Sequence, residues 1–421
     1  MKSIANRPFL LFLPLLLVYA LAAIVGHKAT LEGDEGRYIM YAQNLLHGYY
    51  SPKQELLLWN GPGYPILLMP FVGLGLPMIL PVILNAFFQY LSVVFLYKTI
   101  QLFARQKIAL CFALIWGCYY VAFKELPALL TEPLANMLAS LFLYYTFRAF
   151  QGEKKKAVLA GLIFGCLVLT KVIFGYILIA MLVLCLVAYL IKRNAAKATA
   201  LRILFLALLV TLPYLFYTWS LTHRLFYWSN AGGMSLYWAS SPVEGELGDW
   251  NDAHFTAYCG YDENTPCDSA LFARNHRADY DSIYRYSGMA RDDAFKQKAL
   301  SNIRRYPVKY LKNSIANAGR LFFNLPCSYQ PQRFQNLLRI PPGAAVLMLL
   351  VFSIIVSAVN LKQLPFVIWF ITALIFFYLG ASIAVSALQR YLGVIVPAII
   401  VWAAWLFERT VRLRIHISSS E

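Results

Sequence analysis

The stretch AVLAGLIFGCLVLTKVIFGYILIAMLVLCLVAYLI (residues 157–191) carries a single charged side chain, Lys171. One bilayer crossing takes about 20 apolar residues, so this run is too long for one span and short for two. Basic clusters flank both ends, GEKKK at 152–156 and IKRNAAK at 191–197. A single crossing would strand one cluster on the outer side. A tight hairpin turning near Lys171 keeps both on the same side, as the distribution of Lys and Arg around membrane spans requires.

Composition extends that reading to the whole chain. Of the 421 residues, 60% are hydrophobic and 14% charged, and the mean hydropathy is +0.58. A soluble domain carries about 25% charged residues, so the chain reads as an all-α polytopic membrane protein. Ten spans fit, at about 8–26, 78–97, 108–123, 133–150, 157–170, 172–191, 201–219, 341–359, 364–383 and 391–407. The first resembles a signal peptide, but its apolar core is too long and IVGHKA is a poor cleavage site, so it reads as a retained span.

The net charge of +17 does not point to nucleic acid, because the basic residues fall in short clusters between apolar spans. With the N-terminus inside, the inner segments hold Lys2 and Arg7; Lys98, Arg105 and Lys107; Arg148 and Lys154 to Lys156; Lys192, Arg193, Lys197 and Arg202; Lys362; and Arg409, Arg412 and Arg414. The expectation is a multi-pass protein of the plasma (inner) membrane with both termini cytoplasmic. The chain then forms one membrane domain, 1–421, with two extracytoplasmic regions, 27–77 and 220–340. Within the second, Cys259 and Cys267 in CGYDENTPC form a disulfide candidate in an oxidising compartment. Its far end, residues 292–323, has apolar residues at helical spacing among basic ones, the pattern of an amphipathic helix pair at a membrane surface.

The first outer region opens with GDEGRYIMYAQNL (33–45). Tyr38, Tyr41, Ala42 and Leu45 share one helical face, which puts Asp34 and Glu35 in the first turn. Two readings compete there, acids capping a helix in water and acids doing chemistry. Adjacent helical residues point about 100° apart, so the two cannot face one reacting atom. One would act on a substrate while the other holds a neighbour such as Arg37. WNGPGYPILLMPF (59–71) follows and reads as a loop returning to the membrane surface, tolerated only where protein or water surrounds it. Further along, Glu132 opens one span, Lys171 interrupts the apolar run and Arg390 opens the last span; Lys124 reads as interfacial. On this topology Asp34, Glu132, Lys171 and Arg390 approach the same outer face. Ionisable groups near spans are costly and mark function. One carboxylate with two cations at that depth suits an anionic, lipid-linked substrate.

These residues resemble the bacterial GT-C glycosyltransferases of the protein O-mannosyltransferase and aminoarabinose-transferase type (glycosyltransferase family 39-like). The resemblance rests on an ordered set: the acidic pair in GDEGRYIMYAQNL, then WNGPGYPILL, LLTEPLAN, GLIFGCLVLTKVIFG, SNAGGMSLYWASSP, KALSNIRRYPVKYLKN and RYLGVIVPAI. It covers nearly the whole chain. It implies a GT-C fold of about ten transmembrane helices, with juxtamembrane helices in the two outer regions. It implies a polyprenyl-phosphate sugar donor, and an envelope glycolipid, polysaccharide or protein as acceptor on the outer face. Asp34 is implied as catalytic base with Glu35 as its orienting neighbour. Arg37, Asn60, Tyr64, Glu132, Lys171, Arg390 and Tyr391 are the implied donor- or substrate-binding set. Many members carry Lys-Pro-Pro where this chain has NGPGYP, so either Lys53, Lys171 or Arg390 supplies that charge or the donor is held differently. No cofactor is required, although Asp34 and Glu35 could hold a divalent metal. A transporter or flippase for a lipid-linked anion is the alternative; it would place its ionisable groups at the bilayer midplane.

The charge pattern makes a direct prediction. Reporters or impermeant thiol labels at 153, 195 and 362 should read inside, and at 45 and 260 outside. An inside label at 45 would remove the acidic pair from the outer face.

Overall fold

The computed structural model describes residues 7–28, 30–31, 33–53, 55–250, 269–329 and 337–410. The Cys259–Cys267 pair lies outside the described residues. Secondary structure among the described residues is helical. Six helices are long and apolar enough to cross a membrane: α5 (Ile79–Gln101), α10 (Ile173–Ile191), α11 (Ala195–Thr222), α16 (Ile340–Val359), α17 (Phe366–Val385) and α18 (Gln389–Thr410). The protein is therefore a multi-pass membrane protein. Four further helices coincide with the remaining expected spans: α2 (Leu13–Gly26), α6 (Gln106–Gly117), α8 (Glu132–Phe150) and α9 (Lys154–Thr170). Short helical turns accompany two of these, α1 (Pro8–Leu11) before α2 and α7 (Tyr120–Phe123) after α6.

The 157–191 run divides as its flanking charges require. Helix α9 ends at Thr170, Lys171 is extended, and α10 starts at Ile173. Glycines of α9 set its packing on α11. A Cβ on Gly161 would lie 2.8 Å from the Ile203 carbonyl oxygen, and one on Gly165 would lie 3.0 Å from that of Ala207. Small residues four apart let helix backbones approach closely in a membrane, and here they seat α9 on α11. The contacts rise together in number, so α9 and α11 run parallel. The short 192–194 turn makes α10 antiparallel to α11, and hence to α9.

Helices α8 and α18 form the buried centre. The polar face of α8 pairs with α5 in a ladder: Asn136 Nδ2 donates to Gln89 Oε1 at 3.0 Å, the Ser92 and Ser140 hydroxyls pair at 2.8 Å, and Trp116 Nε1 donates to Ser92 at 2.9 Å. Such bonds average about 0.6 kcal/mol each inside a membrane. Their larger consequence is register, because they fix α8 lengthwise and with it Glu132 at its first residue.

The two segments expected on the outer face, 27–77 and 220–340, carry short helices: α3 (Asp34–Leu46), α12 (Gly232–Ala239), α13 (Ser269–Ile283), α14 (Gly288–Arg305) and α15 (Pro307–Phe323). Helices α14 and α15 are the amphipathic pair. Val308, Leu311 and Ile315 of α15 are exposed, while Tyr310 and Asn317 bond the carbonyls of Ala384 and Ile383 at the end of α17. A second core holds Tyr237, Trp238, Tyr280 and Phe295, with Trp59 packed against it. The buried Glu246 carboxylate meets His276 Nε2 at 2.7 Å and accepts from Ser241, Asn275 and Tyr329.

One element differs from the sequence reading. Residues 63–73, expected as a returning loop, form helix α4 (Gly63–Gly73). Pro65 falls in the first turn, where the N–H groups have no intrahelical partner, so it breaks nothing. The preceding glycines serve packing: a Cβ on Gly61 would sit 2.1 Å from the Leu169 carbonyl oxygen, and one on Gly63 2.6 Å from Thr170 Oγ1.

That contact makes Gly61→Ala a sharp test. The methyl would overlap backbone at the end of α9, and the expected cost is about 1–3 kcal/mol, read as a lowered unfolding midpoint in detergent. Gly36→Ala meets nothing within 4 Å and should be neutral or stabilising by up to about 1 kcal/mol. Equal effects of the two would refute the packing account.

Candidate active site

Four helices begin at one place. Asp34 is the first residue of α3, Gly63 of α4, Glu132 of α8 and Gln389 of α18. Helix N-termini carry unpaired N–H groups and a partial positive charge, so their convergence favours anions. Two acids and three cations fill the space between them.

The ion pairs run in one continuous chain. Arg37 bonds Asp34 Oδ1, and Arg390 Nη2 donates to Asp34 Oδ2 at 2.7 Å. On its other side Arg390 Nε lies 3.6 Å from Glu132 Oε1, which accepts from Lys171 Nζ at 2.7 Å. The side chains of Asp34 and Arg390 are 21% and 23% exposed and that of Glu132 only 5%, so the chain runs from a partly open end to a closed one. Burial alone would raise the Asp34 pKa, but the Arg390 and Arg37 guanidiniums outweigh it and hold the carboxyl below its ordinary value. Asp34 is therefore not an acid capping a helix in water.

Arg37 is fixed on three sides. Besides Asp34, its Nε donates to Asn60 Oδ1 at 2.9 Å and its guanidinium lies 4.6 Å from the Trp59 ring centroid. Segment 56–59 is clamped in turn by Asn230: its Oδ1 accepts from Leu58 N at 2.8 Å and its Nδ2 donates to the Leu56 carbonyl at 2.7 Å. On the other flank the backbone around Arg390 is pinned. Gln389 Nε2 donates to the Phe322 and Arg339 carbonyls, and Tyr378 donates to the Tyr391 carbonyl at 2.7 Å. The Tyr391 ring carries Lys171 Nζ 4.9 Å from its centroid.

The structure thus brings together Asp34, Arg37, Asn60, Glu132, Lys171, Arg390 and Tyr391. Tyr64 lies behind them, fully buried and edge-on to Tyr38 at 5.3 Å. Glu35 points elsewhere: its Oε1 accepts from Leu129 N at 2.7 Å, tying α3 to the segment that leads into Glu132. Asp34 itself holds Arg37. Lys53 is exposed, and Lys124 pairs with Glu125 at 3.3 Å. Trp59, Gln389 and Asn230 went unnoticed in the sequence because their roles are contacts with distant backbone, which no local pattern announces.

The chain is similar to solved structures of two proteins. One is ArnT from Cupriavidus metallidurans bound to undecaprenyl phosphate, 16% identical over 93% of this chain and 77% of that one, with a TM-score of 0.41. The same protein in its apo state gives 15%, 95%, 78% and 0.40. The other is the archaeal oligosaccharyltransferase AglB from Archaeoglobus fulgidus in complex with an inhibitory peptide and a dolichol-phosphate: 13% identical over 94% of this chain, with a TM-score of 0.48. The chain spans 50% of AglB's length. No protein-family model matches, and no curated protein sequence matches.

The buried end of the ion chain yields a prediction. Glu132→Gln and Lys171→Met should each destabilise the protein by up to about 3 kcal/mol, because each breaks the 2.7 Å pair at the buried carboxylate; in Lys171→Met, Arg390 at 3.6 Å still faces Glu132 and limits the loss. The double variant should lose less than the sum, by about 0.5–3 kcal/mol, in unfolding measured in detergent. Strict additivity would show that the pair carries no coupling.

Proposed function

We propose that the protein is a GT-C-type membrane glycosyltransferase that moves a sugar from a polyprenyl-phosphate donor to an acceptor hydroxyl on the extracytoplasmic face. The observation that carries this reading is the charge balance of the ion chain. Three cations (Arg37, Lys171, Arg390) meet two carboxylates (Asp34, Glu132), which gives this chain of ion pairs an excess of one positive charge. A lipid-linked sugar phosphodiester carries one negative charge and complements it.

In this scheme Asp34 takes the proton of the acceptor hydroxyl as that oxygen attacks the anomeric carbon. The bond from the anomeric carbon to the phosphate oxygen breaks, and its electron pair leaves with the lipid phosphate. Arg390 and Lys171 stabilise the charge that develops there. A phosphate leaving group stabilised in this way needs no general acid, and the scheme calls for no cofactor. Glu35 anchors the segment before Glu132 and does not touch the reacting atoms. The ion chain sits at helix starts and not midway along spans, which favours surface chemistry over transport through the bilayer.

Asp34→Asn retains size and hydrogen bonding but cannot take the proton. Transfer from a polyprenyl-phosphate sugar pool in membranes should fall by roughly 10²–10⁴, with an unchanged size-exclusion profile. Near-normal transfer by this variant would place the base elsewhere. Mass spectrometry of envelope glycolipids with and without the protein would identify sugar and acceptor.

A further inference from the structure

Both oxygens of Asp34 are occupied by guanidinium donors, Oδ1 by Arg37 and Oδ2 by Arg390. Each oxygen keeps a further lone pair, but two adjacent cations make the carboxylate a weaker base and crowd the approach of an acceptor hydroxyl. Release of one cation would make Asp34 more basic and more open, and the structure distinguishes the two. Arg37 is also bonded to Asn60 and stacked on Trp59. Arg390 has a pinned backbone, but its side chain makes one hydrogen bond, to Asp34, beside a longer ion pair with Glu132 and the Tyr391 ring at 5.6 Å. Its Nε, 3.6 Å from Glu132, is buried and has no hydrogen-bond partner among the described residues. A buried donor left without a hydrogen bond is costly, so Arg390 is biased toward any oxygen that satisfies it.

We propose that Arg390 is a latch on Asp34: it holds the carboxylate while no lipid phosphate is bound, and swings to a phosphate oxygen when one binds. Asp34 Oδ2 is then freed for the acceptor hydroxyl, and the carboxylate is more basic, in the donor complex. This rests on the donor class proposed above and adds an order to it, donor first and acceptor second. Glu132 does not need Arg390 to stay, because Lys171 remains on it at 2.7 Å. The leaving group thereby uncovers the base that its own displacement requires.

The exchange changes the charge felt by Asp34. The groups facing it are Arg37, Tyr38 and Tyr41 on α3, Arg390 and Tyr391 on α18, and Glu132 on α8. When Arg390 leaves and a phosphate arrives, one cation is lost and one anion gained, and both changes favour the protonated carboxyl; Arg37 stays and limits the change. Loss of one adjacent cation raises the protonated fraction of a carboxylate about tenfold or more.

The test uses the full chain in detergent and a hydrophobic carbodiimide, which modifies only protonated carboxyls. Labelling of Asp34 is read by mass spectrometry at mildly acidic pH with and without polyprenyl phosphate, whose binding is followed in parallel by thermal shift. The expected result is a rise in Asp34 labelling when the lipid phosphate binds. Arg390→Gln should label at the raised level with or without the lipid. If the thermal shift reports binding while Asp34 labelling is unchanged or falls, Arg390 is a static ligand and the latch is overturned. If no binding occurs, the donor class itself fails, and the latch with it.

Discussion

Arg390 stands between two carboxylates that reach it from distant parts of the chain. Asp34 lies 356 residues before it in sequence and Glu132 comes from a different helix, yet one guanidinium faces both. The rest of the architecture serves to keep that meeting in place. The Gln89–Asn136 and Ser92–Ser140 pairs hold α8 in register, and with it Glu132. Gln389 and Tyr378 pin the backbone on either side of Arg390. Gly61 and Gly63 let the 59–63 segment lie against the end of α9, so that Asn60 reaches Arg37 while Lys171, just beyond that end, reaches Glu132.

Ionised groups removed from water are costly, and their attraction offsets that cost only with close geometry and further hydrogen bonds. Alternating the signs along one chain meets the requirement, since each acid touches two cations. The excess of one cation, together with the unmet Nε of Arg390, leaves the arrangement short of one anion. A site built this way gains when an anionic group enters. Trp59 packs on both Arg37 and the second core, and Asn230 clamps the backbone beside it, so the position of Arg37 is coupled to that core.

Much of the fold was legible in the sequence because membrane spans are read from length, apolarity and the placement of basic loops. The hairpin at Lys171, the short helix from Asp34 and the amphipathic pair at 288–323 all follow from periodicity or flanking charge. The 63–73 helix was not legible: its prolines and glycines signal breakage locally, whereas Pro65 sits where a helix has no bond to lose and the glycines answer to α9. The GLIFG spacing at 161–165 did hold a usable signal, small residues four apart in an apolar run, for the close packing of α9 on α11.

For the site, the sequence by itself determined which residues were expensive. Asp34, Glu132, Lys171 and Arg390 stand out because a charge beside a lipid-facing span has a cost that composition alone exposes, and the topology put all four at one face. What only the tertiary structure decided is who meets whom. That Asp34 and not Glu35 holds Arg37, that Glu35 turns to Leu129, and that Arg390 faces two acids at once depend on helix rotation and depth. Those are set by packing among α3, α8 and α18, and hydrogen bonds and ion pairs act over a few ångströms that no spacing along the chain can specify.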